Sequence, residues 1–235
     1  MPELGWDAIT AYRADVPVRL VLVTAACALV AVAVDGVWWW TRRVVTIVHE
    51  GGHAVAALLT GRRLTGITLH ADSSGRTTWV GEPSGLGRLV IAAGGPLAPS
   101  MAGLACVALL VAGQVTIMLW ASTVILAGML VTVRNLYGAL SLVVSGAAVV
   151  MVSVLASGGV QSAFGYTITW FLLLGAVRPA GELVFRRRRH HPSRGDAHRL
   201  AHHTHVPAVV WLAVFDGIAV GALAAGAWLL LGSTP

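Results

Sequence analysis

Apolar residues fall in long runs separated by short polar breaks. A helix needs about 20 mainly apolar residues to cross the hydrocarbon of a bilayer. On that rule about seven runs qualify as spans: 17–40, 43–60, 86–112, 115–133, 138–156, 163–185 and 207–231. The run from Val18 to Val37 is too long for a signal-peptide core and follows no basic cluster, so it reads as a retained first span. The second run, 43–60, is the least hydrophobic because it carries His49, Glu50 and His53. Arg134 and Asn135 separate the fourth run from the fifth. Residues 4–13, with Trp6 and Tyr12, suit a short interfacial helix.

Two polar stretches are long enough to have shape. In residues 64–82, β-branched residues flank Asp72-Ser73-Ser74-Gly75, and Ile67 and Leu69 alternate with polar neighbours, which predicts a β-hairpin. Residues 186–206 read as a basic, histidine-rich loop. Neither leaves room for an inserted globular domain, and there is no internal repeat, so residues 1–235 read as one integral membrane domain.

Composition removes the rival classes. Apolar residues make up 57% of the chain and charged residues 11%, with a mean hydropathy of +0.79. A soluble domain carries about 25% charged residues, so a soluble enzyme, a disordered tail and a disulfide-stapled secreted domain are all excluded. The two cysteines, Cys27 and Cys106, lie within apolar runs and read as small buried hydrophobes. The expected fold is an all-α polytopic membrane protein with a short β-hairpin after its second span.

The formal charge of +6 comes from sixteen cations, all arginine, against ten carboxylates. Cytoplasmic loops of membrane proteins are enriched in such cations. Placing residues 1–16 in the cytoplasm gives that side Arg13, Arg19, Arg62, Arg63, Arg76, Arg88, Arg134, Arg186 to Arg189, Arg194 and Arg199. The opposite side receives Arg42 and Arg43, and Arg178 lies within a span near its inner end. The expectation is a multi-pass cell-membrane protein with its N-terminus cytoplasmic and its C-terminus outside. The charge then reports contact with the lipid bilayer and topology, not a nucleic-acid partner.

His49-Glu50-Gly51-Gly52-His53 is the segment that carries chemistry. Positions i and i+4 share one helix face, so both imidazoles can reach one metal ion, and Glu50 can take a proton from water at an open coordination position. Zn2+ suits imidazole nitrogen with one carboxylate oxygen. Ionisable groups inside a span are costly unless something binds them, which favours function over a polar seam between helices.

With these residues the chain resembles the site-2-type intramembrane metalloproteases, peptidase family M50, in particular the compact M50B-like bacterial branch. The resemblance rests on His49 to Ala54, the hairpin after it, and Ala92-Ala93-Gly94-Gly95-Pro96-Leu97-Ala98 opening the third span, with Pro99 where the family usually has Asn. It covers residues 42–100 well and the remainder loosely. It implies zinc on His49 and His53, Glu50 as the group that activates water, and a transmembrane protein or peptide substrate unwound and cut within the bilayer. The hairpin is the segment expected to receive that substrate.

The family takes its third ligand from Asn-x-x-Pro-x-x-x-Leu-Asp-Gly in a later span. Asn135-Leu136-Tyr137-Gly138 matches its start, making Asn135 the candidate substrate-positioning residue by resemblance, but Val143 stands where Asp would fall. Four carboxylates remain: Asp35, Glu182, Asp196 and Asp216. At 1.5 Å of rise per residue, His49 and His53 lie roughly 16 and 10 Å from the inner face, Asp216 roughly 13 Å and Asp35 roughly 27 Å. Glu182 can pair with Arg178 one turn away. Asp216, followed by Gly217, is the preferred ligand. Asp196 is the alternative if Gly195 to His203 folds back as a helix beneath the site.

The main reading is therefore an intramembrane zinc endopeptidase. A non-catalytic membrane scaffold or regulator that keeps the fold is the alternative, suggested by the missing Asp-Gly segment. A metal or proton transporter relaying through Asp35, Glu50 and Asp216 is a third.

Overall fold

The computed structural model describes residues 16–82, 85–186 and 195–234, and of 179–186 it describes the backbone alone. The interfacial helix expected at 4–13, the side chain of Glu182 and residues Arg187 to Arg189 lie outside the described residues. The elements are α1 (Val18–Ala33), α2 (Asp35–Leu59), β1 (Arg63–Leu69), β2 (Gly75–Val80), α3 (Leu86–Val111), α4 (Val115–Thr132), α5 (Leu136–Leu155), α6 (Gly158–Arg186), α7 (Asp196–Thr204) and α8 (Ala208–Gly232).

The helices α3, α4, α5, α8 and the Gly158–Arg178 stretch of α6 are each long and apolar enough to cross a membrane; α1 and α2, bent by 101°, add one more if they count as a single broken span. This makes a multi-pass architecture and does not confirm the expected seven spans. The difference arises at Val34. Its backbone is extended (φ −83°, ψ 112°), which stops α1 after 16 residues, about 24 Å of rise. The chain restarts at Asp35, a carboxylate favourably placed at a helix N-terminus. It does not break again at Thr41–Arg43. There Arg42 stacks over the Trp39 ring at 4.1 Å and Arg43 over Trp40 at 4.6 Å, so both cations are accommodated within a continuous helix.

The bend also changes the depth assignment. Asp35 and Arg178, expected near opposite faces, form an ion pair, and the Arg178 guanidinium lies 4.8 Å from the Trp38 ring centroid. That assignment required an uninterrupted first span.

The bundle is organised on α6, where 56% of the most apolar window is buried. It packs against α1, α3 and α8, and α2 packs along α3. The main core joins Val21, Trp38, Val107, Trp170, Phe171 and Leu173 from these helices. A second apolar cluster, Ile47, Ala54, Ile67, Leu69, Met129 and Leu142, fastens the hairpin to α2, α4 and α5.

The hairpin is an antiparallel β1–β2 pair in register from Arg63↔Val80 to Leu69↔Gly75, with an irregularity between Leu64 and Gly66. Its turn is closed by the Ser74 amide donating to the Asp72 carboxylate at 2.9 Å, as Asp in turns commonly does. The outer edge of β1 is occupied. Val133 bridges Ile67 in parallel, and the Arg134 amide donates to the Ile67 carbonyl at 2.9 Å. Asn135 continues this pairing with its side chain, donating to the Leu69 carbonyl at 2.6 Å and accepting from the Leu69 amide at 3.1 Å. Among the described residues the outer edge of β2 has no strand beside it.

Candidate metal centre

The helix α2 presents His49 and His53 one turn apart on the same face, their rings edge-on with centroids 4.9 Å apart. The face is pressed against α3, and the glycines explain how. A Cβ on Gly52 would stand 2.3 Å from the Gly94 carbonyl oxygen, and one on Gly95 would stand 2.3 Å from His53 Nε2 and 2.6 Å from His49 Nε2. Bare backbone at Gly52 lets the helices touch. At Gly95 it leaves open the space in front of both imidazole nitrogens.

The third group comes from α7. This nine-residue helix lies within the interval read as a loop and folds back against α3 and α8, anchored by buried Ala197 and Leu200. Its first residue is Asp196, whose Oδ2 lies 3.1 Å from His49 Nε2 and 3.3 Å from His53 Nε2. Its other oxygen faces Arg199 Nη1 at 3.5 Å, one turn along the helix. Burial would raise the Asp196 carboxyl, but hydrogen bonds to His49 and His53 outweigh it and hold the group well below the usual carboxylate range.

These three ligand atoms all lie within 4.8 Å of one another. Asp216, the preferred third ligand from sequence, lies half-buried on α8 outside this group and outside the cavity lining. Depth put it level with the histidines, but depth does not fix which helix face meets them. Asn135 does not line the cavity, and both polar atoms of its amide are engaged by Leu69.

The donor set fits a divalent metal on its own chemistry. His53 Nδ1 is 2.7 Å from the Ile91 carbonyl oxygen, which can only accept, so Nδ1 carries a proton and Nε2 is the nitrogen that faces Asp196. Nε2 and the carboxylate oxygen, 3.3 Å apart, are bridged by a proton or, once that proton is lost, by a metal ion. Bonds of about 2.0–2.2 Å in tetrahedral zinc sites put neighbouring ligand atoms roughly 3.3–3.6 Å apart, which the 3.3 Å distance meets and the 3.1 Å distance approaches. The Ile91 carbonyl fixes the tautomer that ligation requires.

Glu50 is buried beside this group and faces the hairpin. The Thr77 hydroxyl donates to Glu50 Oε2 at 2.7 Å. Alternation along β2 turns Gly75, Thr77 and Trp79 toward α2, with Arg76, Thr78 and Val80 outward. Two further contacts hold the turn on the helix: Arg42 Nη2 to the Asp72 carbonyl at 2.9 Å, and the Thr46 hydroxyl to the Ser73 carbonyl at 3.2 Å. Between α2, the hairpin and α7 lies a cavity of about 590 Å³, lined by His49, Glu50, His53, Asp196 and the β2 side of the hairpin, with Arg42, Arg76 and Arg199 around it.

A family model described as Peptidase M50B-like matches residues 22–226. The chain belongs to the M50B-like peptidase family. Membership and the apolar helices together indicate a multi-pass membrane metallopeptidase, and zinc is the metal of M50 enzymes. No curated protein and no solved structure gives a significant match.

Within this M50B-like chain, the sequence pointed to the helical motif and the hairpin beside it, and offered Asp196 only as the alternative to Asp216. Thr77 had no signal, since a threonine in a hairpin is ordinary. Gly75 and Gly95 were visible as glycines, but only the packed structure shows what stands opposite them.

Proposed function

We propose that the protein is an intramembrane zinc endopeptidase that cuts transmembrane segments of membrane-protein substrates. The observation that carries this reading is the convergence of His49, His53 and Asp196 beside the buried carboxylate of Glu50. His49, His53 and Asp196 would hold the zinc, with Asp196 taking the place that the family gives to an aspartate in a later span. When bound, zinc supplies Lewis acidity and lowers the pKa of a coordinated water. Glu50 receives the proton of the attacking water and passes it to the leaving amine. Arg199 fixes the second oxygen of Asp196, which keeps Oδ2 turned toward the histidines.

Substrate enters as an extended strand. The outer edge of β1 is closed by residues 133–135, so β2 offers its edge to a peptide along the cavity wall. Helical backbone satisfies its own hydrogen bonds and must be unwound before a carbonyl can be attacked. Strand addition replaces part of what unwinding removes.

The test is cleavage of a reporter transmembrane peptide by the full chain in lipid nanodiscs. Glu50→Gln is expected to keep about one zinc per chain while losing cleavage by about 10³-fold or more, in the range where a positioned base and its coupled groups act. Unchanged cleavage would sink the reading. Absence of zinc from the purified wild-type protein would favour a scaffold that keeps the fold, and metal flux surviving Glu50→Gln would favour a transporter.

A further inference from the structure

The Glu50 carboxylate does not stand free in the cavity. Thr77 has one hydroxyl proton and two acceptors within reach, and both belong to Glu50: Oε2 at 2.7 Å and the main-chain carbonyl at 3.1 Å. The threonine is buried, so its hydroxyl has little recourse to water. A second and independent feature lies two residues earlier. A Cβ on Gly75 would stand 2.5 Å from both Cγ and Oε1 of Glu50 and 2.7 Å from Cδ. Gly75 is not among the positive-φ residues, so its backbone is open to any L-residue. What excludes a side chain there is the carboxylate itself. One strand thus touches both oxygens of the same group, with a donor at Oε2 and bare backbone at Oε1.

We propose that Thr77 is the positioning residue for Glu50, and that β2, through Thr77 and Gly75, sets the orientation of the base. The inference rests on the peptidase reading for its catalytic consequence, while the coupling of strand to carboxylate stands on geometry alone. A carboxylate on three rotatable bonds would otherwise sample several rotamers. Here it is confined between two adjacent inward positions of one strand. The strand whose outer edge is open to a peptide is therefore the strand that holds the base, and substrate docking and base orientation share one element. A residue acting only as core packing would tolerate valine at 77, which has the same shape and lacks the donor.

Five variants of the full chain in nanodiscs, in four readouts, test this. Thr77→Val is expected to keep its zinc and its KM and to lower kcat by about 10- to 100-fold, the range for loss of a hydrogen bond to a charged group. Thr77→Ser restores the hydroxyl and is expected to recover most of that loss. Gly75→Ala, whose methyl displaces the carboxylate, is expected to lower kcat with zinc retained. The fourth readout needs neither metal nor turnover: in zinc-free protein, amide exchange along β2 accelerates in Glu50→Ala but not in Glu50→Gln, which keeps an acceptor. Wild-type kcat in Thr77→Val, or no recovery in Thr77→Ser, overturns the positioning role. If wild-type protein and Glu50→Gln cleave alike, the peptidase reading fails and the catalytic role of Thr77 falls with it. The exchange data then still decide the coupling, and equal β2 exchange in both Glu50 variants overturns it.

Discussion

Replacing Gly95 with alanine places a methyl group where the metal would sit. The added Cβ stands 2.3 Å from His53 Nε2 and 2.6 Å from His49 Nε2, against 3.4 Å or more for an ordinary contact. Zinc–imidazole bonds are about 2.0–2.1 Å, so the methyl competes for nearly the same volume. Relief by moving His53 is costly, because its ring is buried and tied to the Ile91 carbonyl at 2.7 Å. His49 is half-buried and is the ring that must turn away. Four-ligand structural zinc sites bind with about 10–16 kcal/mol, or roughly 2.5–4 kcal/mol per ligand. Loss of one ligand then weakens zinc by about 10²- to 10³-fold. The helix itself is not harmed, since alanine exceeds glycine in helix propensity by about 1 kcal/mol. Zinc retained against a graded chelator, measured by elemental analysis, reads the effect, with circular dichroism as the fold check. Gly128→Ala on α4, where a Cβ meets nothing within 4 Å, serves as control. A Gly95→Ala protein that is folded and holds zinc as tightly as wild type would refute the assignment of both nitrogens to one metal.

Two further outcomes follow from the same geometry. Asp196→Ala is expected to lose zinc by about 10²-fold or more, whereas Asp216→Asn keeps it; elemental analysis of the two proteins side by side distinguishes the carboxylates. Asn135→Leu removes two hydrogen bonds to Leu69 and leaves a buried strand edge unpaired, at a cost of about 1–3 kcal/mol, seen as faster amide exchange at Leu69 and lower thermal stability.

What the sequence disclosed follows the range of the interactions concerned. The pairing of His49 with His53 is set by helix pitch over four residues, and the hairpin by a turn and its flanking alternation, so both were legible. The placement of Asp196 beside the two histidines was not. It depends on α7 docking through Ala197 and Leu200 against helices distant in the chain, and only a conditional reading of Gly195 to His203 as a helix anticipated it. The Val34 bend was hidden for another reason: valine carries no turn signature, and the run around it is apolar enough to read as one span. Asn135 matched a family position, yet here its amide serves the sheet. Membership in a family fixes the position and leaves the hydrogen-bond partner to local packing.

The separation of the proposed ligands along the chain has a consequence for biosynthesis. His49 and Asp196 are 147 residues apart. At synthesis rates of about 5–20 residues per second, the histidines precede the carboxylate by roughly 7–30 s. During that interval a nascent chain carries Glu50 and the two imidazoles but not the carboxylate that would close the proposed set. On the proposed ligand set, the enzyme would lack a complete metal site until most of its own helices have been made, and its earlier spans would be finished before it could cut.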